Sequence, residues 1–101
     1  MHRSDFLKLL KQDFPQLTKE INKQEGLLHY EMNVFHQFAQ KLILDKDVDR
    51  IKKAFRLADI CYANGNKALK NAIDVSFLEG LKLKNHNWAW EIFPESLKKY
   101  I

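Results

Sequence analysis

A chain of 101 residues with 46% hydrophobic and 30% charged side chains has the composition of one globular domain, residues 1–101, too short for a second independent core and too apolar for disorder. Its net charge of +4 arises in the second half: residues 1–50 hold eight Lys/Arg against eight Asp/Glu, and residues 51–101 hold nine against five. No apolar run approaches the roughly 20 residues that a membrane-spanning helix needs, and a single cysteine, Cys61, excludes an internal disulfide or a Cys-based metal framework.

The segment Met1-His2-Arg3-Ser4-Asp5 leads straight into an amphipathic stretch with Lys8 and Lys11. It shows no apolar signal region, so a cytoplasmic location is expected. Ser4 is the expected N-cap of a first helix from about Asp5 to Asp13, carrying Phe6, Leu7, Leu9 and Leu10 at helical spacing. Pro15 suits the first turn of a short helix bearing Leu17 and Ile21, and Gly26 marks a break after it. From Leu27 to Leu44 the positions Leu28, Met32, Phe35, Ala39, Leu42 and Ile43 step by three or four, widened by Tyr30, Val34 and Phe38. That pattern predicts a long, central helix, apolar around more than half its girth.

Asp47 is placed to cap the next helix, whose apolar face includes Val48, Ile51, Phe55, Ala58 and Tyr62, and Gly65 is its stop signal, free to take a positive φ. Asn66 then caps a helix through Leu69, Ala72, Ile73, Phe77 and Leu81, and so short a connection predicts an antiparallel helical hairpin. Asn85-His86-Asn87 interrupts the pattern before Trp88, Trp90 and Phe93, and Pro94 opens a last short helix with Leu97. No alternating β-branched run is bounded by turn residues. The expected architecture is all-α: a compact bundle of five to six helices around a central hairpin, with HEAT-like stacking as one candidate arrangement.

Little in this pattern points to catalysis. His29 and His36 lie seven residues apart, too far for both rings to grip one ion on a helix. Glu31, Asp59, Asp74 and Glu79 have no spacing that makes two of them converge, and helical carboxylates mostly face water. Convergence of His36, Asp59 and Glu79 in space is the one route to an enzyme. Ser76 lacks a nucleophile elbow, and three glycines make no phosphate loop. No catalytic residue, cofactor or metal is expected. Cys61 lies on an apolar helix face and reads as packing; Gly80 reads as a point of close helix approach. Lys52, Lys53 and Arg56 cluster on one helix, with Lys67, Lys70, Lys82, Lys84, Lys98 and Lys99 beyond it, but Asp49, Asp59, Asp74 and Glu79 interrupt the positive field, so a solvated helix face ranks first, an acidic protein surface second and nucleic acid last. Trp88 and Trp90 cannot face one side of a short helix together, so one should anchor the C-terminal segment on the core; both rings sealing the end of the bundle ranks ahead of the other staying exposed as an interface anchor.

Phe14-Pro15-Gln16-Leu17, the central AFRLADICYANGNKALKNAIDVSFLEGL and the closing WEIFPESLKKYI resemble a family of small bacterial helical proteins of uncharacterised activity, across most of the chain. The resemblance rests on Phe55 and Asp59, the Gly65-Asn66 turn, Asn71-Ala72-Ile73, Phe77-Leu78-Glu79, and Trp90 with Phe93-Pro94; Asp59 stands where a glutamate is expected. Similar small proteins accompany secreted bacterial toxins as immunity proteins, which bind and block the toxin inside the producing cell. The resemblance therefore implies a non-catalytic protein-binding module with a toxin domain as partner. The residues least explained by the core pattern are its expected contacts: Arg56, Asp59, Asn71, Glu79, His86, Trp88 and Trp90. The alternative is a structural or regulatory protein that forms a homodimer through its C-terminal aromatic segment.

Overall fold

The periodic apolar segments become helices in the computed structural model, which describes all residues from Met1 to Ile101. They are α1 (Arg3–Asp13), α2 (Thr18–Asn22), α3 (Leu28–Leu44), α4 (Val48–Asn64), α5 (Lys67–Ala72), α6 (Asn87–Ile92) and α7 (Glu95–Lys98). A 3-10 turn at Pro15–Leu17 leads into α2, and a π-helical turn at Ile73–Leu78 follows α5. The chain is all-α without a strand, and its seven helices exceed the five to six expected because Asn87–Ile92 forms a helix of its own ahead of the one that follows Pro94.

Side-chain chemistry accounts for the starts of three helices. Asp47 caps α4, accepting from the Arg50 N–H at 3.3 Å and pairing with the Arg50 guanidinium at 3.0 Å. Asn66 caps α5, its side-chain oxygen 2.9 Å from the Leu69 nitrogen. At α1 the cap lies two residues before Ser4: His2 holds that position, and the Asp5 carboxylate accepts its backbone N–H at 2.8 Å. A carboxylate in the first turn satisfies an orphan donor and favours the positive end of the helix dipole, which outweighs the serine signal.

Gly65 and Asn66 alone link α4 to α5, but the glycine acts differently from expectation. Its φ is −70° and its ψ 151°, so no positive φ is involved. A Cβ on this backbone would stand 2.5 Å from the Cys61 carbonyl oxygen and 3.2 Å from Leu69. Close approach excludes every side chain there.

One core of 27 buried residues joins the helices. α3 is its axis, touching α2, α4, α5 and the π turn. Phe35 on α3 meets Phe6 of α1 with centroids 6.0 Å apart and stacks on Phe77 of the π turn at 4.5 Å and 17°. Phe55 of α4 takes Phe93 edge-on at 5.0 Å, seating the chain's last turns on α4. No helix is long and apolar enough to cross a membrane.

Glu31, expected among the carboxylates that face water, is the one buried charged residue, 2% exposed. Arg3 grips it with two bonds, Nε to Oε1 at 2.7 Å and Nη2 to Oε2 at 2.6 Å. That grip holds the Arg3 guanidinium above its ordinary pKa, the hydrogen bond to Glu31 outweighing desolvation. A buried carboxylate is tolerable only when paired in this way.

Phe77→Ala is expected to cost about 3–5 kcal/mol, as for other fully buried aromatic truncations. Urea unfolding measures it, and a loss below about 1 kcal/mol contradicts the Phe35–Phe77 packing. Gly65→Ala should lose about 1–3 kcal/mol by overpacking, despite its ordinary φ. An unchanged urea midpoint for that variant contradicts the close approach to Cys61.

Candidate functional site

The sequence pattern continues a helix to Leu81, but α5 ends at Ala72 and the chain widens into the π turn. There the Glu79 N–H reaches back five residues to the Asp74 carbonyl at 3.0 Å. The Phe77 carbonyl is turned towards α3, where His36 Nδ1 lies 2.7 Å away. A carbonyl only accepts, so His36 carries its proton on Nδ1 and donates it. Gly80 then reverses the chain at φ +83°, with nothing within 4 Å of where a Cβ would stand. It is glycine for its left-handed backbone, not for the close helix packing expected of it.

From Leu81 to Lys84 burial alternates: Leu81 and Leu83 are buried, Lys82 and Lys84 exposed. This is the period of extended chain rather than helix, and it runs into a turn at Lys84 in which the Leu83 carbonyl accepts the His86 N–H at 3.0 Å. Gln40 on α3 holds it as a neighbouring strand would, accepting the Lys82 N–H at 2.8 Å and donating to the Lys82 carbonyl at 3.3 Å.

Between α3 and this extended strap lies an open groove of about 1060 Å³. His36, Gln37, Gln40 and Leu44 line it from α3, residues 80–87 form the opposite wall, and Trp90 and Ile101 complete it. Leu44, Trp90 and Ile101 are 62%, 37% and 47% exposed. Trp90 is nonetheless fixed: its ring is parallel to Phe93 with centroids 6.1 Å apart, and Lys98 Nζ sits 4.7 Å above it. Lys98 is itself held by Glu95 at 2.8 Å.

A smaller groove of about 320 Å³ adjoins it, lined by His29, Tyr30, Asn33 and His36 of α3 and by Val75, Ser76 and Glu79. His29 Nδ1 and Ser76 Oγ are 2.7 Å apart. Glu79 shares the groove without a hydrogen bond to that pair, so the histidine lacks the third group that orients a nucleophile's base. No group of three His, Cys, Asp or Glu side chains is placed to hold a metal ion.

The expected contact residues are spread over several faces. Arg56 and Asn71 are exposed on α4 and α5. Asp59 accepts a bond from Ser96 Oγ at 2.6 Å, tying α7 to α4. Glu79 lines the smaller groove, and His86 and Trp90 line the larger. Trp88 packs half-buried against the core with its indole Nε1 enclosed and unpartnered. His36 and Glu79 meet in one groove, but Asp59 lines neither, so the three do not converge. Gln40, Leu44, Lys82 and Lys84 were not among the expected contacts. The Leu-Lys-Leu-Lys alternation at 81–84 was a readable sign of extended chain; the role of Gln40 depends on a neighbour 42 residues away and had no local sign.

The chain matches the family model described as a Domain of unknown function (DUF7674) over residues 7–101. It belongs to that family. The match takes in every residue that lines either groove. No curated protein and no solved structure matches the chain.

Two titrating groups bear on stability. Burial, reinforced by Asp13 and Asp5, pushes the Cys61 thiol up from 9.0 to about 12, which makes it packing rather than a nucleophile. The neighbouring Tyr100 hydroxyl, with the two ring centroids 5.0 Å apart, and then desolvation raise Tyr62 from 10.0 to about 12. Both groups stay protonated in the fold at pH values where the unfolded chain ionises. Their contribution is complete below about pH 9 and declines as pH rises towards 12. Urea midpoints should therefore fall above pH 9, with Cys61→Ala flattening the first part of the decline; a midpoint independent of pH from 8 to 11 contradicts the raised pKa of both groups.

Proposed function

We propose that this protein is a non-catalytic protein-binding module of the immunity type, which acts in the cytoplasm by covering the working surface of a bacterial toxin domain. Trp90 carries the reading. An exposed indole fixed between Phe93 and a lysine, on the wall of a groove, has lost its rotamer freedom before any partner arrives. Such pre-organised aromatic residues are the usual anchors of protein interfaces. The resemblance to a family of small bacterial helical proteins, of the kind that accompany secreted toxins as immunity proteins, supports the same reading. Of the seven expected contacts, His86 and Trp90 share the larger groove, and they form the centre of the proposed surface.

The reading requires a toxic partner domain encoded beside this gene. Co-expression with that domain should restore growth, and Trp90→Ala should abolish protection while leaving the thermal melt within a few degrees of wild type. A neighbouring gene with no such domain, or full protection by Trp90→Ala, overturns it. The exposure of Leu44 and Ile101 beside Trp90 favours self-association as a second reading. Light scattering that finds a monomer at every concentration removes it.

A further inference from the structure

We infer that the partner enters the larger groove as an extended acidic segment, its carboxylates at alternate positions meeting Lys82 and Lys84 and an apolar side chain resting against Trp90. This rests on the protein-binding reading above and names the chemistry of what is bound.

Charge is the first ground. Every ionisable side chain lining the groove is basic, namely His36, Lys82, Lys84 and His86, and no Asp or Glu lines it. The two lysines are also uncommitted. Neither is among the four basic side chains that hold an ion pair, Arg3, Lys23, Arg50 and Lys98, a freedom they share with most lysines of the chain. An approaching carboxylate therefore meets no competing acidic side chain.

Spacing is the second. Burial alternates from Leu81 to Lys84, so Lys82 and Lys84, two residues apart, leave the same side of the strap just before the turn in which the Leu83 carbonyl accepts the His86 N–H. Carboxylates at positions i and i+2 of an extended partner segment repeat about every 6.5–7 Å on one face, the same two-residue step as the lysines. The Lys82 main chain is already bound on both sides by Gln40, so recognition falls to its ammonium group rather than to added strand pairing.

The apolar rim is the third ground, and it favours protein over nucleic acid. No arginine lines the groove, and Leu44 and Ile101 stand exposed where a phosphate backbone would have to pass. Two lysines with three exposed apolar side chains suit carboxylates flanking a Leu or Phe better than a chain of phosphates.

The test is binding of the intact protein to an array of ten-residue peptides with Glu, Gln or Lys at alternate positions around a central Leu, with a ten-nucleotide single strand as the competing class. The Glu peptides are expected to bind best, with affinity falling as salt rises. Lys82→Glu/Lys84→Glu should reverse the preference towards Lys peptides, a change of more than about tenfold, each tenfold being 1.4 kcal/mol. Both positions are exposed, and an unchanged melt shows that the fold is intact. Equal binding of Glu and Gln peptides, no binding by any peptide, or tighter binding of the nucleotide strand overturns the inference. If the acidic preference fails while Trp90-dependent protection holds, the binding module stands and only the acidic segment is wrong.

Discussion

The seating of Phe77 on α3 is the contact from which the larger groove follows. Its ring stacks on Phe35 and its carbonyl accepts from His36, so one residue is fixed through both side chain and main chain. Stacked aromatic pairs contribute about 0.5–1.5 kcal/mol beyond the apolar area they bury, and the hydrogen bond satisfies a carbonyl that the widened turn has aimed away from its own helix. With Phe77 in place, Gly80 reverses the chain and Leu81 and Leu83 drop into the core. The Lys82 main chain then meets the Gln40 amide. The groove is the space left between a long straight helix and a strap tied to it at two points.

The other half of α3 is secured by a different interaction. Burying Glu31 would be prohibitive without a partner, and Arg3 supplies one by reaching across from α1 with both forks of its guanidinium. The pair specifies how α1 lies against α3, while Phe6 against Phe35 supplies the apolar part of the same contact. A helix held at Glu31 and at His36 is the wall that the proposed binding groove requires.

Much of this was legible in the residues. The periodic apolar positions located α3 and α4, and Asp47 and Asn66 announced their helices, whereas the exposure of Trp90 was the lesser of two readings. What could not be read were outcomes decided by distant partners. A glutamate on a helix reads as solvated until an arginine 28 residues away is seen to bury it. The helix from Asn66 reads as continuous to Leu81 until α3 offers Phe35 and His36 to a wider turn. Local pattern shows that a side chain is unwelcome at Gly65 and at Gly80, but only the fold tells crowding at the first from a left-handed φ at the second. The expected contact residues scattered because being unexplained by the core does not make residues neighbours.

A binding function consequently depends on the strap being held before any partner arrives. Amide hydrogen exchange at Lys82 tests this most directly, since its N–H is bonded to a side chain of α3 and to nothing in its own segment. The Lys82 amide should be protected in the free protein and should exchange near the unstructured rate in Gln40→Leu, with the amides of α3 and α4 unchanged. A Lys82 amide that exchanges freely in the wild-type protein contradicts a pre-formed groove.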